Sequence, residues 1–250
     1  SRPAARAAGS AAFIPPMLAT PASLPVAGTD DGRWLWEPKL DGYRIVALIR
    51  GGAAKLLSRS AIDVTDRYPD VARQLGAQAG PDTVLDGEIV ATDEHGRPCF
   101  QCLQDLTEDR PPGTAGTVVY YVFDILYLGG RDLRGVPLQR RKEVLRAVLK
   151  TTDAVRLIEH FTGDARTIFR SAVETGFEGI VGKRSDSPYQ PGKRTGDWVK
   201  LKVTKELDAV IGGFTRGLGA RAKTFGAVLH GAYDGDRLRY VGHCGGGFTD

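Results

Sequence analysis

The 250-residue chain has one methionine, Met17, and three cysteines, Cys99, Cys102 and Cys244. Three cysteines cannot build a disulfide framework, which favours a reducing cytoplasm. Cys99 and Cys102 form a C-x-x-C with His95 just upstream. A zinc site needs a second ligand pair, and only Cys244 and scattered histidines remain, so both are read as ordinary helix residues. No stretch approaches the roughly 18 apolar residues of a membrane span. The most apolar run, Val118 to Leu128, contains Asp124 and reads as a buried strand. Residues 1–12 lack the apolar core of a secretory signal and are read as a linker or tail of a longer protein. Charge of one sign is scarce: 34 basic against 30 acidic residues give +4, only a hint of a polyanionic partner. Glycine is plentiful, at 32 residues, but has no collagen period.

What is present is a mixture of strand and helix signals. Gly42 to Ile49, Lys55 to Ser58, Thr83 to Thr92, Val118 to Leu128, Arg156 to Phe161, Gly179 to Lys183 and Trp198 to Val203 read as strands. Asp66 is expected to cap a helix carrying Val71 and Leu75. Pro137 opens a second helix through Lys150, with apolar residues at Val144, Leu145, Val148 and Leu149. A third helix, Asp164 to Thr175, stops at Gly176. Without regular β-α-β alternation, the pattern predicts an α+β fold with antiparallel sheets. From Glu206 onward only strands and turns follow, with a hairpin signal at the Asp-Gly-Asp of residues 234–236.

Five short segments carry chemistry. In Glu37-Pro-Lys-Leu-Asp-Gly-Tyr-Arg44, Lys39 is fixed by apolar neighbours and a turn, and a lysine becomes a nucleophile once burial or nearby cations render it neutral. Leu85-Asp-Gly-Glu88 puts charge inside an apolar strand, a cost unless the charges are paired or used. Phe123-Asp124 offers an aromatic platform or core packing. Glu178-Gly-Ile-Val-Gly-Lys183 comes fourth. In Trp198-Val-Lys-Leu-Lys202, strand alternation sets Lys200 and Lys202 on one face, where a polyphosphate would relieve their repulsion. Residues 183–205 hold seven basic and two acidic residues, so the chain's basic excess is local and coincides with Tyr189 and Trp198. Gly182-Lys183 is not a Walker loop, since Arg184 stands where Ser or Thr is needed. Gly217-x-Gly219-x-x-Ala222 is followed by strand-like sequence and so is not a dinucleotide fingerprint.

In this order the five segments resemble the covalent nucleotidyltransferases, specifically ATP-dependent DNA ligases. FIPPMLAT and SPYQPGKRTGDWVKLK resemble the ligase domain of bacterial end-joining enzymes of the ligase D type. The resemblance implies a linker at 1–12, an adenylation domain at 13–204 and a partial OB-fold β-barrel domain at 205–250. It implies Lys39 as the nucleophile that carries AMP. Glu37, Arg44, Glu88, Phe123, Ile180, Val181, Lys200 and Lys202 would bind the nucleotide: Glu88 the ribose, Phe123 one face of adenine, Ile180 or Val181 the other, and the two lysines the phosphates. Arg59 and Arg194 would grip DNA phosphate, and Glu178 with Glu88 would hold Mg²⁺ or Mn²⁺. Nicked or broken duplex DNA would be the partner of a monomer in the cytoplasm, at the nucleoid, with a Ku-like end-binding protein and fused polymerase or nuclease domains as further partners. The family's last basic motif is not found before Asp250, so sealing of a pre-adenylated nick is expected over autonomous self-adenylation. RNA ligases and capping guanylyltransferases share the K-x-D-G and the lysine pair. A catalytically idle nick-binding module is the non-enzymatic alternative.

Overall fold

The computed structural model describes residues 6–7, 12–24, 32–78, 80–93, 99–107, 117–203, 208–246 and 248. The chain divides into two compact units, Ser1–Val203 and Thr204–Asp250. In chain order the first holds β1 (Arg6–Ala7), β2 (Leu18–Pro21), β3 (Trp34–Pro38), β4 (Tyr43–Arg50), β5 (Ala53–Ser58), α1 (Pro69–Gly76), β6 (Thr83–Ala91), α2 (Phe100–Thr107), β7 (Val118–Leu128), β8 (Arg131–Asp132), α3 (Leu138–Val148), β9 (Val155–Leu157), α4 (Ala165–Glu174), β10 (Gly179–Arg184) and β11 (Arg194–Lys202). Of the segment read as a tail, Arg6–Ala7 pairs with β8. His95 lies outside the described residues.

Two sheets form the first unit. One runs β1-β8-β7-β6-β4-β5, with β9 parallel on β7; the other runs β2-β11-β10-β3, with β2 parallel on β11. The remaining pairings are antiparallel, as the α+β reading expects. Alternation along β4 explains its nearly unbroken apolar text. Ile45, Ala47 and Ile49 join a core with Val71 and Leu75 of α1 and Leu145 of α3, while Val46 joins a second core with Phe123, Met17, Tyr189 and Trp198. In the smaller sheet, Trp36, Ile180, Val199 and Leu201 pack against Ala165 and Ala172 of α4. Trp198 points the other way, towards the larger sheet, and the cleft opens between the two.

Several elements differ from expectation. Asp66 sits in a short 3-10 turn, and α1 starts at Pro69 after an N-cap at Tyr68. The strand expected at Arg156 to Phe161 shrinks to β9, with Phe161 bridging only to Trp36. In α3, Val148 is exposed while Arg141 and Lys142 face inward. Arg141 forms a fully buried pair with Asp124, at 2.8 Å from each carboxylate oxygen. Cys99 precedes α2 and is disulfide-bonded to Cys102, so the two are not ordinary helix residues. Helix α4 follows its signals: the Asp164 side chain accepts from the Thr167 amide, and Gly176 ends the helix in the left-handed region.

The second unit is an antiparallel sheet, β12 (Val210–Arg216), β13 (Phe225–Asp234) and β14 (Arg237–Cys244). The expected hairpin turns at Gly235, whose φ is +62°. Ile211, Phe214, Tyr233 and Tyr240 are exposed on it.

Candidate active site

Lys39 follows directly on β3, and its amide donates to the Gly179 carbonyl at 2.9 Å, tying the turn to β10. The turn needs its glycine: a Cβ at Gly42 would collide with the Ile89 carbonyl oxygen on β6. Gly179, beside Glu178, holds a φ of +150°, and a Cβ there would strike the Leu201 carbonyl oxygen. These contacts set Lys39 opposite Glu178. Its Nζ pairs with Glu178 Oε2, and Lys202 Nζ pairs with Oε1 of the same carboxylate.

Lys39 opens into a cavity of about 260 Å³ between the sheets. Its inner part is made of buried Phe123, Trp198, Lys183 and Glu37. Half-buried Val181, Glu88, Arg44 and Lys200 line it further out, and exposed Arg59 and Arg194 stand at its rim. The antiparallel register of β4 and β6 places Arg44 opposite Glu88, with Asp86 on the same strand face. Arg44 forms a bidentate pair with fully buried Asp86, at 2.6 and 2.7 Å, and Tyr189 Oη donates to the same carboxylate at 2.5 Å. The Arg44 guanidinium lies 4.5 Å from the Phe123 ring centroid. Lys183 Nζ lies 4.0 Å from that centroid and 4.2 Å from that of Trp198. Phe123 is therefore a buried ring bordered by two cations.

Behind it, Glu37 is clamped by Lys142 and Lys183, each 2.6 Å from one of its oxygens. Burial favours the neutral acid, but the two ammonium groups outweigh it and hold the Glu37 carboxyl below the usual range. Burial lowers Lys183 to about 8, helped by Lys142 and opposed by Glu37. Glu88 has no such clamp. Burial raises it to about 7 against the pull of Arg44 and Lys39. For Glu178 burial works upward, and the bonds from Lys202 and Lys39 prevail, leaving it low. Lys200 is lowered by partial burial and by Lys202, Arg194 and Lys39 around it.

Most sequence-predicted residues meet here. Lys39, Glu37, Arg44, Glu88, Phe123, Val181, Lys200, Arg59 and Arg194 line one cavity. Glu178 joins it through its ion pair with Lys39, and Lys202 through its own pair with Glu178. Ile180 does not: it packs with Trp36 and α4 on the opposite face of the sheet, leaving Val181 as the residue of that pair in the cleft. Sequence reasoning missed two lysines. Lys183 ends the fourth motif but was counted only in the basic run. Lys142 sits in a helix whose apolar pattern gave no sign of an inward cation.

Residues 16–202 match the family model of the ATP dependent DNA ligase domain. The chain belongs to that family. It is 38% identical over its whole length to the multifunctional non-homologous end joining protein LigD of Pseudomonas aeruginosa, covering 30% of that protein. It is 37% identical to the LigD of Mycobacterium tuberculosis, with 95% of the chain and 30% of the relative aligned. The chain thus spans under a third of the length of these relatives. Mycobacterial DNA ligase D complexed with ATP and MES superposes with a TM-score of 0.69 at 36% identity, covering 94% of this chain and 73% of that one. The ligase domain of M. tuberculosis LigD gives 0.66 at 36% identity, covering 95% and 74%. The fold is accordingly the nucleotidyltransferase fold of ATP-dependent ligases.

Carboxylate oxygens such as those of Glu178 and Glu88 are the donor type a hard divalent cation takes, and both Glu178 oxygens are here paired with lysines. Among the described residues no group of three or more His, Cys, Asp or Glu side chains is placed to hold a metal by itself.

Proposed function

We propose that this chain is the nick-sealing domain of a DNA end-joining ligase, working through an adenylate on Lys39. The supporting observation is that Lys39 opens onto the same cavity as Glu88, Phe123 and Lys200, with Glu178 against its amine. Once Lys39 has lost a proton, for which the Glu178 carboxylate is the acceptor in reach, its nitrogen attacks the α-phosphorus of ATP. The N–P bond forms as the bond to pyrophosphate breaks. Lys200 and Lys202 neutralise the phosphate oxygens in an in-line displacement. The adenylyl group then passes to a 5′-phosphate of DNA, breaking the N–P bond. Attack by the 3′-hydroxyl expels AMP and joins the strand.

Inside the cavity, the Glu37 carboxylate and the Lys183 ammonium set an acceptor beside a donor, a pairing that suits the amino group and ring nitrogen of adenine. Glu88 would accept from a ribose hydroxyl when ionised, and Val181 would face the base across from Phe123. A divalent ion held at Glu178 and Glu88 would add Lewis-acid stabilisation of the phosphates. Arg59 and Arg194 at the rim would grip DNA phosphate. The adenylation domain would span 13–204, and the open sheet of the second unit would belong to an OB-type domain. A cytoplasmic, nucleoid-bound monomer, a Ku-like partner and fused polymerase or nuclease domains complete the proposal.

Incubation with α-labelled ATP and Mg²⁺ or Mn²⁺, followed by a denaturing gel, tests the nucleophile; joining of a pre-adenylated nick tests the last step separately. Lys39→Ala should lose all covalent label while keeping its melting temperature within about 2 °C. If the parent labels, equal labelling of Lys39→Ala would refute the assignment. DNA binding with neither label nor joining would point to an idle nick-binding module, and preference for GTP or RNA nicks to the other nucleotidyltransferases.

A further inference from the structure

Cys99 and Cys102 are bonded to each other, and no step of the ligase reading uses them. Both residues are half-buried rather than sealed in the core. Their Cα atoms are 5.3 Å apart, within the ordinary range for a bonded pair. The ring encloses only two residues, so closing it restricts the unfolded chain less than a long loop would. A partly exposed bond of small worth to the fold belongs to the exchangeable kind.

The two thiols differ in surroundings. Within the bonded pair, Cys99 Sγ accepts the backbone N–H of Cys102 at 3.1 Å, a donor positioned to stabilise negative charge on that sulfur when the bond opens. The pair also sits beside elements that carry the cleft. The Cys99 amide donates to the Ala91 carbonyl at 2.8 Å, at the end of the strand that carries Glu88. Phe100 packs edge-on against Tyr43, at 5.7 Å, next to the Lys39 turn.

We propose that Cys99 and Cys102 form a redox-exchangeable dithiol site that reacts with low-molecular-weight disulfides, with Cys99 as the attacking thiol. The Cys99 thiolate attacks one sulfur of oxidised glutathione, forming a mixed disulfide and expelling one glutathione thiolate. The Cys102 thiolate then attacks the Cys99 sulfur, closing the Cys99–Cys102 bond and releasing the second glutathione. Two electrons pass from the cysteines to glutathione, and the two thiol protons end on the released glutathione or in solvent.

The full chain carrying Cys244→Ser, which removes the exposed free cysteine, is equilibrated in glutathione buffers from fully reduced to fully oxidised. It is then quenched in acid, alkylated and weighed intact. A single two-electron transition should fall inside that span, with both cysteines alkylated at one end and neither at the other. In the reduced protein at neutral pH, Cys99 should label about tenfold faster than Cys102. Cys102→Ser should trap a glutathione adduct that Cys99→Ser does not. A pair that stays bonded in fully reduced glutathione, stays open in fully oxidised glutathione, or labels first at Cys102 overturns the proposal. Neither ATP nor DNA enters the measurement, so its outcome is independent of the ligase reading.

Discussion

Ala61 is the non-glycine residue with a left-handed backbone among those described, at φ 62°. Its turn follows Arg59 and is closed by bonds from Ala61 N to the Ser58 carbonyl and from Ser58 N to the Ile62 carbonyl. An L side chain in that region costs about 1 to 2 kcal/mol, partly offset by the lower chain entropy of alanine when unfolded. Ala61→Gly should therefore raise stability by about 0.5 to 1 kcal/mol in urea denaturation. Glu88 makes a second residue-scale prediction. Its value near 7 lies above the ordinary 4.5, so between these limits the folded chain keeps a proton that the unfolded chain releases. Its contribution to stability therefore falls as pH rises through that window. Glu88→Gln should flatten the dependence of melting temperature on pH there. At pH about 8 it should gain about 1 kcal/mol, discounted for partial exposure, while weakening ATP binding.

At the scale of elements, α3 docks through charge. Arg141 is fully buried on Asp124, and Lys142 reaches Glu37 from the next position. Removing one partner of such a pair strands the other, so Arg141→Met should cost about 3 to 5 kcal/mol, whereas Arg141→Met with Asp124→Leu should recover much of the loss. A thermal melt of the single and double variants distinguishes these outcomes. The same helix shows what local sequence can convey. Strands β4, β6 and β7 and helix α4 were legible because their apolar spacing, caps and terminal glycine act within a few residues. The inward turn of Arg141 and Lys142 was not, because its cause lies on β7 and β3, far away in sequence. Asp66 misled for a local reason: Pro69 provides a stronger helix start three residues later. Motif order named most of the residues that line the cleft, but could not tell which of Ile180 and Val181 faces it. That depends on the pleat of β10 against α4.

On the scale of the whole molecule, a net charge of +4 says little, yet Arg59, Arg194 and Lys200 gather at one cavity mouth. DNA affinity should fall steeply with salt. Arg194→Ala should reduce the slope of log K against log salt by about 1, without changing the extent of labelling at Lys39 by more than about twofold. Fluorescence or filter binding across a salt series reads this directly.

The placement of the indoles has an optical consequence. Trp34 and Trp36 stack on each other at 5.7 Å, and Trp36 packs on the α4 side of the smaller sheet, whereas Trp198 lines the cavity with an ammonium 4.2 Å from its ring. A purine entering beside Phe123 would alter the field at one of three emitters and leave the stacked pair almost untouched. The protein thus carries a built-in spectroscopic gauge of occupancy, readable without any added dye.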